Sequence, residues 1–164
     1  AASADVVIQN FRPGAVDRLG IGYDDLCAVN PRLVYVSISG YGPDGPASGH
    51  RVYDNVIQGA SGIASVQVDP RTGEPSLFRT LLCDKVTSLK AAQAITAALF
   101  ARERGADGQH IVVAMLDAAI AFLWPDSAMD AVLLDDDATR TPTDRKSTRL
   151  NSSHEWISRM PSSA

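Results

Sequence analysis

Cysteine is scarce in this chain. Cys27 and Cys83 are the only two in 164 residues, too few for the disulfide framework of a small secreted domain, so a reducing cytoplasm is the expected compartment. Long apolar runs are absent too. No stretch approaches the ~18 residues of a transmembrane helix, which argues against a membrane partner. The N-terminus reads Ala1-Ala2-Ser3-Ala4-Asp5-Val6-Val7-Ile8. It has no initiator Met and none of the basic, apolar and small-residue regions of a signal peptide. It enters a strand-like run at once, as if the chain began inside a domain. Positive charge is not in excess: the formal net charge is −4. No basic face argues for nucleic acid, and an anionic ligand would have to be held by local cations. The glycines form neither GxGxxG nor a phosphate loop closed by Lys and Ser or Thr. His50 and His110 have no partner at ligand spacing, so they read as a loop histidine and a strand-edge histidine rather than as a metal site.

What is present is enough to fold. Hydrophobic residues make up 45% of the chain, and the length suits one domain of roughly 100–200 residues. Composition shifts after Leu134. Residues 135–143, opening on Asp135-Asp136-Asp137, read as a linker. Residues 144–164 are polar and aperiodic, and they resemble a translated sequencing adapter; His154 and Trp156 therefore carry no functional weight. That tail is net basic, so the residues before it, 1–143, are more acidic than the whole.

Strands alternate with helices along the body. Asp5 to Gln9, Leu33 to Ser39 and Ile111 to Met115 are β-branched, apolar runs expected to form buried strands. Ala15 to Leu19 and Tyr23 to Val29 read as short helices, the second with Asp24 and Asp25 in its first turn. Tyr53 to about Val66 is helical in pattern but carries Gly59 and Gly62, which suggests close packing against another backbone. Val86, Leu89, Ala92, Ile95 and Leu99 recur at helical spacing and predict a helix from about Lys85 to Arg104, stopped by Gly105. A further helix begins at Asp117 and meets Pro125. This alternation predicts an α/β layered fold with a largely parallel sheet flanked by helices.

Asp84 stands at the start of the long helical pattern, in Leu81-Leu82-Cys83-Asp84-Lys85-Val86-Thr87. Locally it suits an N-cap, whose oxygen accepts from the free amides of the first turn. A carboxylate there is also favoured in its ionised form, and an ionised carboxylate can attack an acyl carbon. Both readings stay open on the residue alone. Cys83 has no activating His near it in sequence and reads as a buried structural thiol. Lys85 either pairs with the neighbouring carboxylate or is solvated. Arg12, Arg18 and Arg51 lie at turns or helix starts beside aromatic or amide groups, positions that suit a phosphate-bearing ligand.

Four segments taken together are more specific. They are Asn10-Phe11-Arg12-Pro13-Gly14 with Arg18-Leu19-Gly20, the run from Asn30-Pro31-Arg32 through Ser37-Ile38-Ser39 to Gly40-Tyr41-Gly42, Tyr53-Asp54, and Gly105 to Gln109 leading to Met115-Leu116-Asp117-Ala118-Ala119. In this order and spacing the chain resembles the family III CoA-transferases, with the α-methylacyl-CoA racemases as close relatives. The resemblance covers nearly all of residues 1–134. It implies a partial Rossmann-like large domain of a cytoplasmic enzyme and, at full length, an interlocked homodimer. The family's N-terminal CoA-binding segment and its later glycine-rich loop have no counterpart in these residues. Coenzyme A or acyl-CoA would be the substrate, exchanged with a carboxylate acceptor. Asn10, Phe11, Arg12 and Arg18 match CoA-contacting positions of the family. Arg51, Val52, Tyr53 and Asp54 match a second such stretch, and Asp84 falls on the catalytic aspartate. The racemase branch needs a second proton-transfer group, a His where this chain has Tyr53, whose phenol is a poorer base than imidazole at neutral pH. His50 lies three residues away. A third reading is a non-catalytic CoA-binding or structural module in which Asp84 only caps its helix.

Overall fold

The computed structural model describes residues 1–125. The expected linker at 135–143, the adapter-like tail at 144–164 and the last residues of the expected domain lie outside them. Three strands, β1 (Val6–Gln9), β2 (Val34–Ser39) and β3 (Gln109–Ala114), form a parallel sheet in the order β1-β2-β3. Val6 lies beside Val34, and Val36 beside Ile111. The helices are α1 (Ala15–Arg18), α2 (Tyr23–Val29), α3 (Asp54–Ala60), α4 (Ile63–Val66), α5 (Leu82–Glu103) and α6 (Met115–Leu123). The alternating pattern therefore gives the expected α/β fold.

Parallel strands need crossovers, and the crossovers cover both faces of the sheet. On one face α5 lays Ile95, Ala98 and Leu99 against Val6, Val34, Val36, Ile38 and Ile111. On the other, Tyr23 of α2 stacks on His110 at 4.5 Å between ring centroids, and the Tyr35 hydroxyl donates to the Ile21 carbonyl at 2.9 Å. A second core joins Ile57 of α3, Ile63 of α4, Cys83 of α5 and Ala119 of α6. At the far end of α5, Arg102 donates to the Asp5 carboxylate at 2.8 Å and to the Arg32 carbonyl at 3.1 Å, tying the helix to the starts of β1 and β2.

Three expectations change. The glycine-bearing helix is two helices, because Gly62 adopts a left-handed φ of 84° that ends one and starts the next. Gly59 faces open space, so its missing side chain serves no close packing. The long helix begins at Leu82, three residues before Lys85, because Leu82 and Cys83 already point into the second core. The last helix likewise starts at Met115, directly after β3.

Candidate active site

A cavity of about 1360 Å³ opens where the three strands end. Its walls include the residues just after β1 (Asn10 to Pro13), the end of β2 (Ile38 to Gly40), Met115 after β3, and the first turns of α3 and α5. The carboxyl ends of parallel strands are where open α/β sheets bind ligands, because the connecting loops diverge there. Gly40 allows the wall to close: a Cβ on it would collide with the Cβ and both methyl groups of Val52.

Asp84 lines this cavity from the third position of α5, not from the N-cap. The N-cap is Leu81, whose side chain has no acceptor. The capping role passes to a residue far away in sequence. Asp54 Oδ2 accepts the backbone N–H of Asp84 at 2.9 Å, satisfying one of the amides that the first turn of a helix leaves free. Asp84 is partly buried, and its carboxyl sits above the ordinary carboxylate range, first because of burial and then because of the Asp54 charge. The direction is opposite to the one expected from the helix N-terminus alone.

Asp54 is only 4% exposed and opens α3. Its Oδ1 accepts from Gln58 Nε2, one helical turn on. Gln58, fully buried, also donates to the Thr80 carbonyl at 3.1 Å and accepts the Phe78 amide through Oε1 at 2.8 Å. It thereby fastens the segment that leads into α5. Lys85 Nζ donates to Thr80 Oγ1 at 2.5 Å, which gives it a partner other than the Asp84 carboxylate. Gln58 and Arg79 escaped the sequence reading, although both line the cavity. An Asp and a Gln four apart on a helix are a recognisable pair, but nothing local says that the pair reaches across twenty residues.

The other expected site residues divide. Asn10, Phe11, Arg12, Arg51, Val52, Tyr53 and Asp54 all line the cavity, and Arg18, at the end of α1, does not. Phe11 and Tyr53 hold largely exposed rings, and the Phe11 amide donates to Gln9 Oε1 at 2.8 Å, which sets the loop after β1. His50 lines the same cavity as Asp84, its ring edge-on to Tyr41 at 6.3 Å. His110 is elsewhere, in β3, 2.9 Å from Ser37 Oγ. Cys83 is buried beside Ile57 and Ala119, and burial pushes its thiol up to about 11, with smaller contributions from Asp54 and Asp84. Among the described residues, no three His, Cys, Asp or Glu side chains gather as a metal site would require, and no helix is long and apolar enough to cross a membrane.

A family model for CoA-transferase family III matches residues 1–154. The chain is 42% identical over 120 residues to the acetyl-CoA:oxalate CoA-transferase of Acetobacter aceti, covering 73% of this chain and 31% of that protein. It is 39% identical over 121 residues to the succinate–glutarate CoA-transferase of Agrobacterium fabrum, covering 74% and 30%. The crystal structure of a CAIB/BAIF family protein from Brucella suis superposes with a TM-score of 0.71 at 41% identity, covering 74% of this chain and 32% of that one. The chain thus spans about a third of the length of the relatives it matches.

Proposed function

The chain belongs to CoA-transferase family III, and from that premise we propose that the protein carrying it moves coenzyme A from an acyl-CoA thioester to a carboxylic acid, with Asp84 as the acyl-accepting carboxylate. One observation carries the reading. The Asp84 carboxylate lies on the wall of the cavity that Asn10, Phe11, Arg12, Arg51, Val52 and Tyr53 also line. These side chains offer what a CoA needs: guanidinium groups for phosphate and aromatic faces and amides for the pantetheine arm. Arg18 would belong to the CoA-binding set only if the ligand extends past the cavity edge to α1.

The chemistry follows from a carboxylate nucleophile. An Asp84 oxygen attacks the thioester carbonyl carbon, the C–S bond breaks, and CoA leaves as thiolate, with the acyl group left on Asp84 as a mixed anhydride. The thiolate attacks the aspartyl carbonyl, releasing the donor acid and leaving an aspartyl-CoA thioester. The acceptor carboxylate attacks that thioester and expels the thiolate, which then takes the acceptor acyl group and frees Asp84. Partial burial serves this cycle, because a less solvated carboxylate with a raised pKa is the stronger nucleophile once ionised. CoA is a substrate here, not a resident cofactor. The acceptor is a carboxylate, the working unit is an interlocked homodimer, and the compartment is the cytoplasm.

Incubating the full-length protein with acyl-CoA and trapping with hydroxylamine tests the reading. Hydroxylamine attacks the aspartyl-CoA thioester, releases CoA and leaves a hydroxamate on Asp84. No adduct in the wild type, or an undiminished adduct in Asp84→Ala, would overturn it. His50 in the same cavity favours one second reading, a racemase in which His50 and Asp84 share proton transfer at the acyl α-carbon. Exchange of that carbon's proton in deuterated water, without CoA transfer, would select it.

A further inference from the structure

We infer that Asp54 is a positioning residue: its carboxylate holds the first turn of α5, and with it the Asp84 side chain, at the cavity wall, instead of binding the ligand. The inference rests on Asp84 being the acyl-accepting group.

Three observations carry it. Asp54 is only 4% exposed although it borders the cavity. Each of its oxygens is taken by a protein N–H, Oδ1 by Gln58 and Oδ2 by the Asp84 backbone. Among the described residues no Lys, Arg or His forms an ion pair with it. A carboxylate so engaged is spent on the protein. Its Oδ2 bond falls on the nitrogen attached to the α-carbon of Asp84, so it fixes the atom from which the nucleophilic side chain springs. Gln58 braces the carboxylate from the next turn and clasps Phe78 and Thr80, the residues that deliver the chain into α5. The helix cannot supply this hold itself, because Leu81 at its N-cap has no side-chain acceptor.

The charge acts as well as the bond. The groups around Asp84 are Asp54 from α3, the buried Cys83 thiol behind it, Lys85 bonded to Thr80, and Arg12, Arg51, Arg79 and His50 on the cavity walls. Of these, Asp54 raises the Asp84 pKa, second to burial. Asp54 therefore both aims the nucleophile and keeps it basic.

Two variants of the full-length protein test this, Asp54→Ala and Asp54→Asn, read by CoA binding, by kcat and by the Asp84 amide resonance. Asp54→Ala should lower kcat by roughly 10- to 100-fold, as expected for a misplaced reacting group, with the Kd for CoA alone within about twofold of wild type. The Asp84 amide proton, downfield in the wild type because it donates to a carboxylate, should move upfield. Asp54→Asn keeps an oxygen for that amide but removes the charge. It should recover most of kcat, and the acidic limb of its kcat profile should move to lower pH, a shift that loss of a purely structural cap would not produce. If Asp54→Ala does not fold, the amide shift and the limb of Asp54→Asn decide alone. A CoA Kd weakened about tenfold with kcat kept, an unmoved amide, or an unmoved limb overturns the proposal. A wild type with no hydroxamate on Asp84 overturns the transferase reading and this proposal together. A wild-type adduct that forms equally fast in Asp54→Ala overturns only the proposal.

Discussion

Gln58 accepts the backbone amide of Phe78 at 2.8 Å across twenty residues of chain, with both ends of its side-chain amide engaged inside the protein. A buried side chain with every polar atom committed is costly to alter. Replacing it with Met leaves the Phe78 N–H, the Thr80 carbonyl and one Asp54 oxygen without partners. Each such loss costs about 1–3 kcal/mol, so Gln58→Met should lower the urea midpoint by an amount equivalent to at least one of them. Gln58→Glu should be worse, because it sets a second buried carboxylate against Asp54. A Gln58→Glu midpoint equal to wild type would contradict the clasp.

The ionised Asp84 carboxylate carries a stability cost. The carboxyl is raised above the ordinary value of 3.8 by burial and by Asp54. The folded protein therefore holds that proton more tightly than the unfolded chain does. The contribution to stability is fully present below pH 3.8 and is lost as pH rises through the folded value, so the ionised group works against folding at neutral pH. Asp84→Asn should raise the melting temperature at pH 7, with the advantage shrinking in acid, while abolishing the hydroxamate. Thermal melts at the two pH values check the sign; a variant less stable at pH 7 would contradict it.

Gly40 and Val52 share one space. A methyl group on residue 40 would meet the Cβ and both methyls of Val52, an overpacking that costs about 1–3 kcal/mol. Val52 also lines the cavity. Gly40→Ala should therefore lower stability and weaken CoA binding, and Gly40→Ala combined with Val52→Ala should recover part of both. Calorimetric titration with CoA across the double-mutant cycle measures the coupling; strict additivity would rule out the shared space.

The two thiols should separate cleanly under alkylation. Burial pushes Cys83 up to about 11, so its reactive thiolate is scarce at pH 8, whereas Cys27 is only partly buried. Iodoacetamide should label Cys27 in the native protein and Cys83 only after unfolding. Native labelling of Cys83 at the rate of Cys27 would show that the second core is open.

What could be read in advance followed the range of the interactions. β2 was legible because Val34 and Val36 are buried on a parallel sheet, which gives a continuous apolar run. The cavity's membership was largely legible through resemblance, from Asn10 to Asp84. The start of α5 was not, because Leu82 and Cys83 join the helix to fill a core built by α3, α4 and α6, a demand outside their own neighbourhood. Nor was the cap on that helix. The expected donor of the cap, Asp84, receives one instead, from a carboxylate thirty residues earlier, and no spacing rule reaches that far.

The all-parallel sheet has a consequence for how the protein comes into being. Among the described residues, no strand of the sheet meets its neighbour through a hairpin: Val6 must find Val34, and Val36 must find Ile111. Each pairing waits on closure of a long loop, which makes folding slow and late contacts decisive. The Asp54–Asp84 bond is itself one of these distant contacts. A nascent or half-folded chain thus carries Asp84 outside the partly buried, Asp54-flanked setting that raises its pKa, and that setting forms only when the long loops close.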